Sequence, residues 1–222
     1  MNFDMSVAAK AKDGGKRLTP GIKDATFKGI GFTPVEKQET GEKWNCLVLK
    51  LDIDDFGEYN QNFFEPTSNE RKENKWGEKT ITSASPLDHF LITIREIFDA
   101  LDPQLMKDVE SGVKPLSNNK FSALVKTIKE YTDPYIGAKV QIKLLPNNRG
   151  FCSMPNYPAG INDNGDLKIA TRIIGHDLTF TSSELRKIEA AKNAQPTNMS
   201  KSSMITAMAA DMADGGDDDL PF

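Results

Sequence analysis

Aromatic and basic side chains on predicted strands and loops are the residues of this chain best suited to chemistry. In WNCLVLKLDID, residues 44–54, leucine and isoleucine alternate on one face, which leaves Trp44 and Lys50 on the other. A polar loop, residues 66–80, places Trp76 among basic side chains. The remaining basic candidates lie in this loop, in a turn and on the non-core faces of later strands: Arg71, Lys72, Lys75, Lys139, Lys143, Arg149, Lys168 and Arg172.

This combination of residues suits a single-stranded nucleic acid. A basic groove attracts phosphates, and aromatic rings stack on bases of any sequence at roughly 1–3 kcal/mol per base. Trp76 is the strongest candidate for stacking, because a tryptophan in so polar a loop has little core to enter. Tyr59, Phe63 and Tyr157 are further candidates, although Phe63 also suits the core. Phe63 and Phe64 are adjacent, so only one of them faces the core of a strand, and the pattern does not decide which.

Catalysis has no positive support in the sequence. His89 lies in an apolar helical pattern, and His176 stands beside an aspartate at a predicted turn. The acidic run LDIDD, residues 51–55, suits a solvated strand end better than a divalent-ion site. The phosphate-binding, nucleophile and zinc motifs of common enzymes are missing from the sequence. We therefore expect a protein that is not an enzyme and that uses no metal and no cofactor.

The charge of the chain is concentrated at its C-terminal end. The 222 residues carry a formal net charge of −4, from 32 acidic and 28 basic residues. Residues 211–222 hold five aspartates and no base, so the rest has 27 acids against 28 bases. A near-neutral body is compatible with a locally basic groove. Cys46 and Cys152 show no paired spacing and suit reduced thiols. Without an apolar run of about 20 residues, we expect a cytoplasmic protein with no membrane partner.

The elements that position these residues are short strands interrupted once by helices. Alternating segments predict three strands, then one more in GAKVQIKLL, residues 137–145, and a further one or two beyond it, in FCSMPNYP, residues 151–158, and DLKIATRII, residues 166–174. Between the third and fourth strands, residues 85–133 carry apolar side chains at helical spacing, with Ser85 as N-cap and Asp102 as the cap of a second, short helix. Thr181 and Glu184, at capping-box spacing, predict a further helix after the last strand. This order predicts a mainly β fold, an OB-fold-like five-stranded barrel with helices between strands 3 and 4. Residues 20–190 would form this domain, flanked by a flexible arm, residues 1–19, and a disordered linker and acidic tail, residues 191–222.

The chain ends in DGGDDDLPF, residues 214–222, a segment too short and too charged to fold alone. With the strand order and the basic and aromatic faces, this ending resembles the single-stranded DNA-binding proteins of bacteria and their phages. The long helical insertion favours a phage-encoded relative, in the cytoplasm of a bacterial host. The resemblance implies sequence-independent binding and protection of single-stranded DNA during phage replication and recombination.

The resemblance also implies that the tip docks replication and recombination proteins. Phe222 can fill an apolar pocket of a partner protein, and its carboxylate can pair with a basic residue at the rim of that pocket. The tip residues are Asp217, Asp218, Asp219, Leu220, Pro221 and Phe222. An alternative is a replisome adaptor or an acidic DNA mimic without DNA binding, although a mimic should spread acid over its folded body. Self-association stays open.

Overall fold

The computed structural model describes residues 18–36, 41, 43–76, 79–116, 120–147 and 151–193. Within these ranges the strands are β1 Gly21–Glu36, β2 Lys43–Ile53, β3 Gly57–Phe64, β4 Lys72–Trp76, β5 Lys79–Ser83, β6 Lys139–Pro146, β7 Cys152–Ser153, β8 Ala159–Ile161, β9 Leu167–Ile169 and β10 Ile174–Gly175. The α-helices are α1 Pro86–Leu101, α2 Pro103–Glu110, α3 Phe121–Thr132 and α4 Ser182–Asn193, and a short 3-10 turn, Asp133–Tyr135, follows α3. The predicted arm and tail lie outside the described residues, except at 18–19 and 191–193.

A curled, half-barrel sheet of five antiparallel strands organises the fold. Its order is β10–β6–β1–β2–β3, and β7 pairs with β6 outside this path. The 16-residue β1 pairs with β6 near its start and with β2 along most of its length. The register shifts between Phe27 and Gly29, and Gly29 has a φ of +121°, a conformation that favours glycine. This bulge bends the strand.

The core lies between the inner face of this sheet and the helices that follow β3. Its fully or nearly fully buried side chains alternate along the strands and recur at helical spacing, among them Phe27, Leu47, Leu49, Leu51, Ile94, Ile97, Phe98, Val125, Ile128, Ile142 and Leu144. The helices begin where the sequence predicts. The Ser85 hydroxyl accepts a hydrogen bond from the Asp88 N–H at 3.1 Å, and the Asp88 carboxylate accepts one from the Ser85 N–H at 2.9 Å. At the start of α2, the Asp102 carboxylate accepts a hydrogen bond from the Gln104 N–H at 2.8 Å.

Two segments differ from the predicted elements. The polar loop predicted for residues 66–80 contains most of a β-hairpin, β4–β5, which pairs only with itself within the described residues. The strand predicted in DLKIATRII, residues 166–174, divides in two because its halves have different partners. Leu167–Ile169 pairs with β8, whereas Ile174 pairs with β6. Polar composition concealed the hairpin, and alternation alone does not show a change of partner.

The sheet remains open between β3 and β10 within the described residues. Side chains connect part of this gap, since the Met154 N–H donates to Gln61 Oε1 at 3.2 Å and to the Tyr59 hydroxyl at 3.3 Å. The mainly β sheet with helices after its third strand is therefore present, and a closed five-stranded barrel is not formed by backbone pairing there. Among the described helices, none is long and apolar enough to cross a membrane.

Candidate nucleic-acid interface

The outer face of β1, β2 and β3 carries an oriented pair of aromatic rings. Alternation along β2 buries Leu47 and Leu49 in the core and places Trp44 and Lys50 on the opposite side. The Trp44 ring meets the Phe64 ring of β3 at 5.5 Å between centroids, with an interplanar angle of 89°. This edge-to-face contact fixes the orientation of both rings, and both side chains stay only half-buried.

The adjacent phenylalanines of β3 lie on opposite sides of the sheet. Phe63 is in register with Leu47 and is only 8% exposed in the core. Phe64 is in register with Cys46 and contacts Trp44. The predicted stacking role of Phe63 is therefore wrong, because its ring is covered by the core. Of the two adjacent phenylalanines, Phe64 is therefore the one that lies away from the core, a choice that the sequence pattern left open.

Lys50 supplies positive charge on the same face, six residues along β2 from Trp44 and so about 20 Å away along the strand. Its side chain crosses β1 at Gly31, where an added Cβ would lie 3.3 Å from Lys50 Cε. Glycine thus leaves room for the lysine stem to lie along the sheet while the ammonium group stays in solvent. Within the described residues, no carboxylate forms a salt bridge with Lys50, whereas Lys28 pairs with Asp52 at 3.2 Å.

Tyr59 belongs to the interior rather than to the outer face. Its ring packs against the core, and its hydroxyl donates to Gln61 Oε1 at 2.5 Å. Burial is the main cause that raises the pKa of this hydroxyl far above its ordinary value. The structure therefore places Tyr59 on the core side of β3 and not with Trp44 on the outer face. Tyr59 and Gln61 are polar residues on the core side of β3, and this is why the sequence did not reveal the strand's inner face.

Lys143 is also buried, contrary to its predicted place on a basic surface. Only 1% of its side chain is exposed, because α4 covers this part of β6. Its ammonium group donates to Thr171 Oγ1 at 2.7 Å and to Glu184 Oε2 at 3.0 Å. Burial opposes the charge of Glu184, but hydrogen bonds from Thr171, Thr181 and Lys143 leave its pKa below the ordinary value. Lys143 therefore holds α4 on the sheet and does not contribute to an exposed basic surface.

Arg71 acts as a clamp at the base of the β4–β5 hairpin. Its guanidinium donates to both carboxylate oxygens of Asp88, at 2.9 and 3.2 Å, and to the Gly165 carbonyl at 3.0 Å. The Arg71 hydrogen bond is the main cause that lowers the pKa of Asp88 to about 2. Arg71 thus joins the hairpin, the first turn of α1 and the β8–β9 turn. The guanidinium of Arg71 is therefore engaged in contacts within the protein.

Tyr157 lies beside the same end of α1. Its side chain is 65% exposed. Its ring meets the His89 ring at 5.1 Å in an edge-to-face contact. The Ala159 N–H donates to His89 Nδ1 at 3.1 Å, and burial lowers the pKa of His89, so the ring is held neutral. The aliphatic stem of Lys168 covers Gly160 on the neighbouring strand, 3.4 Å from the position of a Cβ. Sequence reasoning identified Tyr157 but missed His89 as the side chain that supports it.

The other predicted residues divide into exposed side chains and residues that the structure does not describe. Lys72, Lys75, Lys168 and Arg172 are exposed. Lys139 is exposed but pairs with Asp54 at 3.1 Å. The backbone of Trp76 ends β4, while its side chain, Arg149 and the whole acidic tip lie outside the described side chains. The structure thus groups Trp44, Phe64 and Lys50 on one face, and gathers Arg71, Tyr157 and Lys168 around the start of α1.

In the described ranges, no cluster of three or more histidine, cysteine, aspartate or glutamate side chains could hold a metal ion. The described geometry therefore offers aromatic rings and ammonium groups on the outer face of a curled sheet, which are groups that bind by stacking and charge. Comparison of the chain with family models, with curated proteins and with solved structures finds no match.

Proposed function

We propose that this protein binds and protects single-stranded DNA without sequence preference during phage DNA replication and recombination. The observation that carries the proposal is the Trp44–Phe64 ring pair on the outer face of the curled sheet, with Lys50 farther along the same face of β2. Bases of any identity stack on such rings, while the ammonium group attracts the phosphate backbone. We also infer an OB-fold-like barrel for this sheet. In an OB-fold, the face of strands 2 and 3 binds oligonucleotides, and here β2 and β3 carry Trp44 and Phe64.

Exposed lysines extend this surface along the chain. Phe64 ends β3, and only seven residues separate it from Lys72 at the start of β4. The Leu87 N–H donates to the Ser68 carbonyl at 3.2 Å, which ties this connection to α1. A strand that stacks on Trp44 and Phe64 would therefore meet Lys72 and Lys75 on the adjoining hairpin. Such phosphate contacts add affinity without reading sequence.

The acidic tip supplies the second part of the proposal. Residues 217–222 would recruit replication and recombination proteins, with Phe222 as the apolar anchor and the aspartates as the attracting charges. The protein would work in the host cytoplasm as a binding protein and not as an enzyme. The tip lies outside the described residues, so its sequence alone supports this part.

Fluorescence titration with oligo-dT tests DNA binding at the ring pair. Because the chain has two tryptophans, Trp76→Phe leaves Trp44 as the only indole reporter. We expect DNA to quench its emission and the affinity to fall as salt rises. Trp44→Ala and Phe64→Ala should each weaken binding by about 1–3 kcal/mol. Lys50→Ala should reduce the salt slope by about 0.7, the value for one phosphate on a single strand.

The matched control is Phe32→Ala, which removes an exposed aromatic ring from the other side of β1. Phe32 is 40% exposed and contacts Phe121 rather than the outer face. DNA affinity should be unchanged in this variant. Equal losses for Phe32→Ala and Trp44→Ala would reject the ring pair as the binding site. No binding of oligo-dT by the wild type, with retained capture of partners by the tip, would favour the replisome adaptor.

A further inference from the structure

Tyr157 forms a second exposed aromatic site, separate from the Trp44–Phe64 ring pair. Its side chain is 65% exposed. The centroid of its ring lies 5.1 Å from that of the His89 ring, with an interplanar angle of 80°. In an edge-to-face contact one of the two rings presents only its edge, so His89 covers at most one face of the Tyr157 ring. At least one face of this ring is therefore left uncovered by the contact.

The backbone that carries this ring is held in place on both sides. Pro158 restricts Tyr157, the residue before it, to extended conformations. The Pro158 carbonyl accepts a hydrogen bond from the Ala170 N–H at 2.7 Å, and the Ala159 N–H donates to His89 Nδ1 at 3.1 Å. A ring that is already oriented loses little conformational entropy when a ligand stacks on it. Tyr157 is thus suited to binding an aromatic ligand from solvent.

The charged groups around Tyr157 provide one available cation. Arg71 does not count, because Asp88 binds its guanidinium and Asp166 acts on it electrostatically. Lys168 on β9 is exposed, and no carboxylate of the described residues forms a salt bridge with it. Asp163 in the β8–β9 turn reduces the local positive charge further. Stacking would therefore provide most of the affinity, and Lys168 would add one phosphate contact.

The position of Lys168 suits a phosphate near the base that stacks on Tyr157. Lys168 is in register with Gly160, and its Cε lies 3.4 Å from the position of a Cβ at that glycine. Gly160 follows Tyr157 by three residues, a distance of about 10 Å along an extended chain. Successive stacked nucleotides are about 3.4 Å apart, so Lys168 would reach a phosphate within a few nucleotides of this base.

The connection after β3 brings Tyr157 within reach of a strand that is bound at the ring pair. Four residues lead from Phe64 to Ser68, which is no more than about 14 Å of chain. The Ser68 carbonyl accepts a hydrogen bond from the Leu87 N–H at 3.2 Å, and His89 follows two residues later on α1. Single-stranded sites cover about 4–16 nucleotides per OB-fold, so one strand can extend over both aromatic sites.

We propose that Tyr157 is a second base-stacking site for the same single strand of DNA, with Lys168 as its phosphate contact. His89 is a positioning residue that orients the Tyr157 ring and does not itself contact DNA. This inference rests on the proposed function, because it requires that the ring pair of Trp44 and Phe64 binds the strand first.

An indole placed at position 157 tests the stacking directly. The chain has two tryptophans, so Tyr157→Trp combined with Trp44→Phe and Trp76→Phe leaves one indole and keeps a ring at position 44. Oligo-dT of about 16 nucleotides is the probe, and the anisotropy of a labelled sample shows when the protein is saturated. We expect DNA to quench the indole emission. The matched control is Phe32→Trp in the same Trp44→Phe, Trp76→Phe background, whose emission should not change.

Affinity measurements separate the ring, the charge and the positioning residue. Tyr157→Ala should weaken oligo-dT binding by roughly fivefold to 150-fold, the loss expected for one stacked base, and Tyr157→Phe should restore most of it. Lys168→Ala should reduce the salt slope by about 0.7, whereas Lys126→Ala on α3 should leave it unchanged. His89→Ala should weaken binding in the wild type, and it should have no further effect when added to Tyr157→Ala.

The results distinguish this site from the ring pair. Unchanged emission of the indole at position 157 in saturated protein would overturn the second site, and so would equal affinities of Tyr157→Ala and the wild type. In both cases, quenching of Trp44 in the Trp76→Phe protein would still support the proposed function. A wild type that does not bind oligo-dT would overturn the proposed function and the second site together.

Discussion

Replacing Glu96 with glutamine should make the stability of this protein less dependent on pH. Burial is the main cause that raises the pKa of Glu96 from 4.5 to about 7. The N–H groups of Ile173 and Ile174 and the positive charges of Arg172 and Lys143 act in the opposite direction but do not overcome burial. The folded protein therefore holds this proton more tightly than the unfolded chain does. Besides Arg172, other charged side chains line a surface cleft next to Glu96, between α1, α2 and residues 169–174: Arg95, Asp99, Lys107 and Glu110.

The sign and size of the effect follow from this difference. A raised carboxyl pKa stabilises the folded state below about pH 4.5, and the stabilisation is lost as the pH rises through about 7. At 1.36 kcal/mol per unit, the full difference is about 3 kcal/mol. Between pH 5 and pH 8, the wild type should lose about 2–3 kcal/mol of unfolding free energy that Glu96→Gln does not lose.

Urea denaturation at pH 5, 6, 7 and 8 measures this difference. The control is Glu130→Gln, which removes a carboxylate that is 60% exposed on α3, and its curve should follow the wild type. A wild-type curve parallel to that of Glu96→Gln across this range would refute the reasoning. It would mean that water or protein donors reach the Glu96 carboxylate and offset its burial.

Three further predictions concern contacts that the structure places in the interior. Lys143→Met should lower the free energy of unfolding by about 3–5 kcal/mol, because it leaves the Glu184 carboxylate buried and unpaired. Urea denaturation should also show that adding Glu184→Leu to this variant recovers part of the loss. A Lys143→Met protein as stable as the wild type would count against the buried pair. Arg71→Ala should move the pKa of Asp88 from about 2 towards its ordinary 3.8, as followed by carboxyl NMR. It should also speed amide exchange in the β4–β5 hairpin, so a hairpin equally protected in the variant would rule out the clamp. The Cys46 thiol is fully buried, and burial raises its pKa, so a thiol reagent should modify it only on unfolding, and rapid labelling of the native protein would contradict its placement.

Much of the fold is readable from local patterns. The alternation in β2 and the helical spacing of α1 place the core residues correctly, because each pattern follows from the geometry of a single element. Ser85, Asp102 and the Thr181–Glu184 pair begin their helices as predicted, since a cap satisfies N–H groups within a few residues. The segregation of acidic charge to the C-terminal end is likewise a property of the sequence itself.

Which basic residues are available at the candidate interface depends on contacts between segments that are distant in the chain. Lys143 alternates correctly on the outer face of β6, but Glu184, 41 residues later, returns on α4 to bury it. Arg71 stands in a basic run, yet Asp88 and Gly165 occupy its guanidinium. A strand pattern shows which side a residue takes and does not show what covers that side.

The sequence by itself therefore determined the elements, their order and the supply of rings and bases. The tertiary structure decided that Phe64 and not Phe63 joins Trp44, because the core needed one phenylalanine opposite Leu47. It also decided which lysine and arginine side chains stay exposed. A charged side chain is buried at low cost only where a partner, here one distant in the sequence, pairs with it. The local backbone geometry sets the side of a strand or helix on which a side chain lies, and long-range packing determines whether that side chain is exposed.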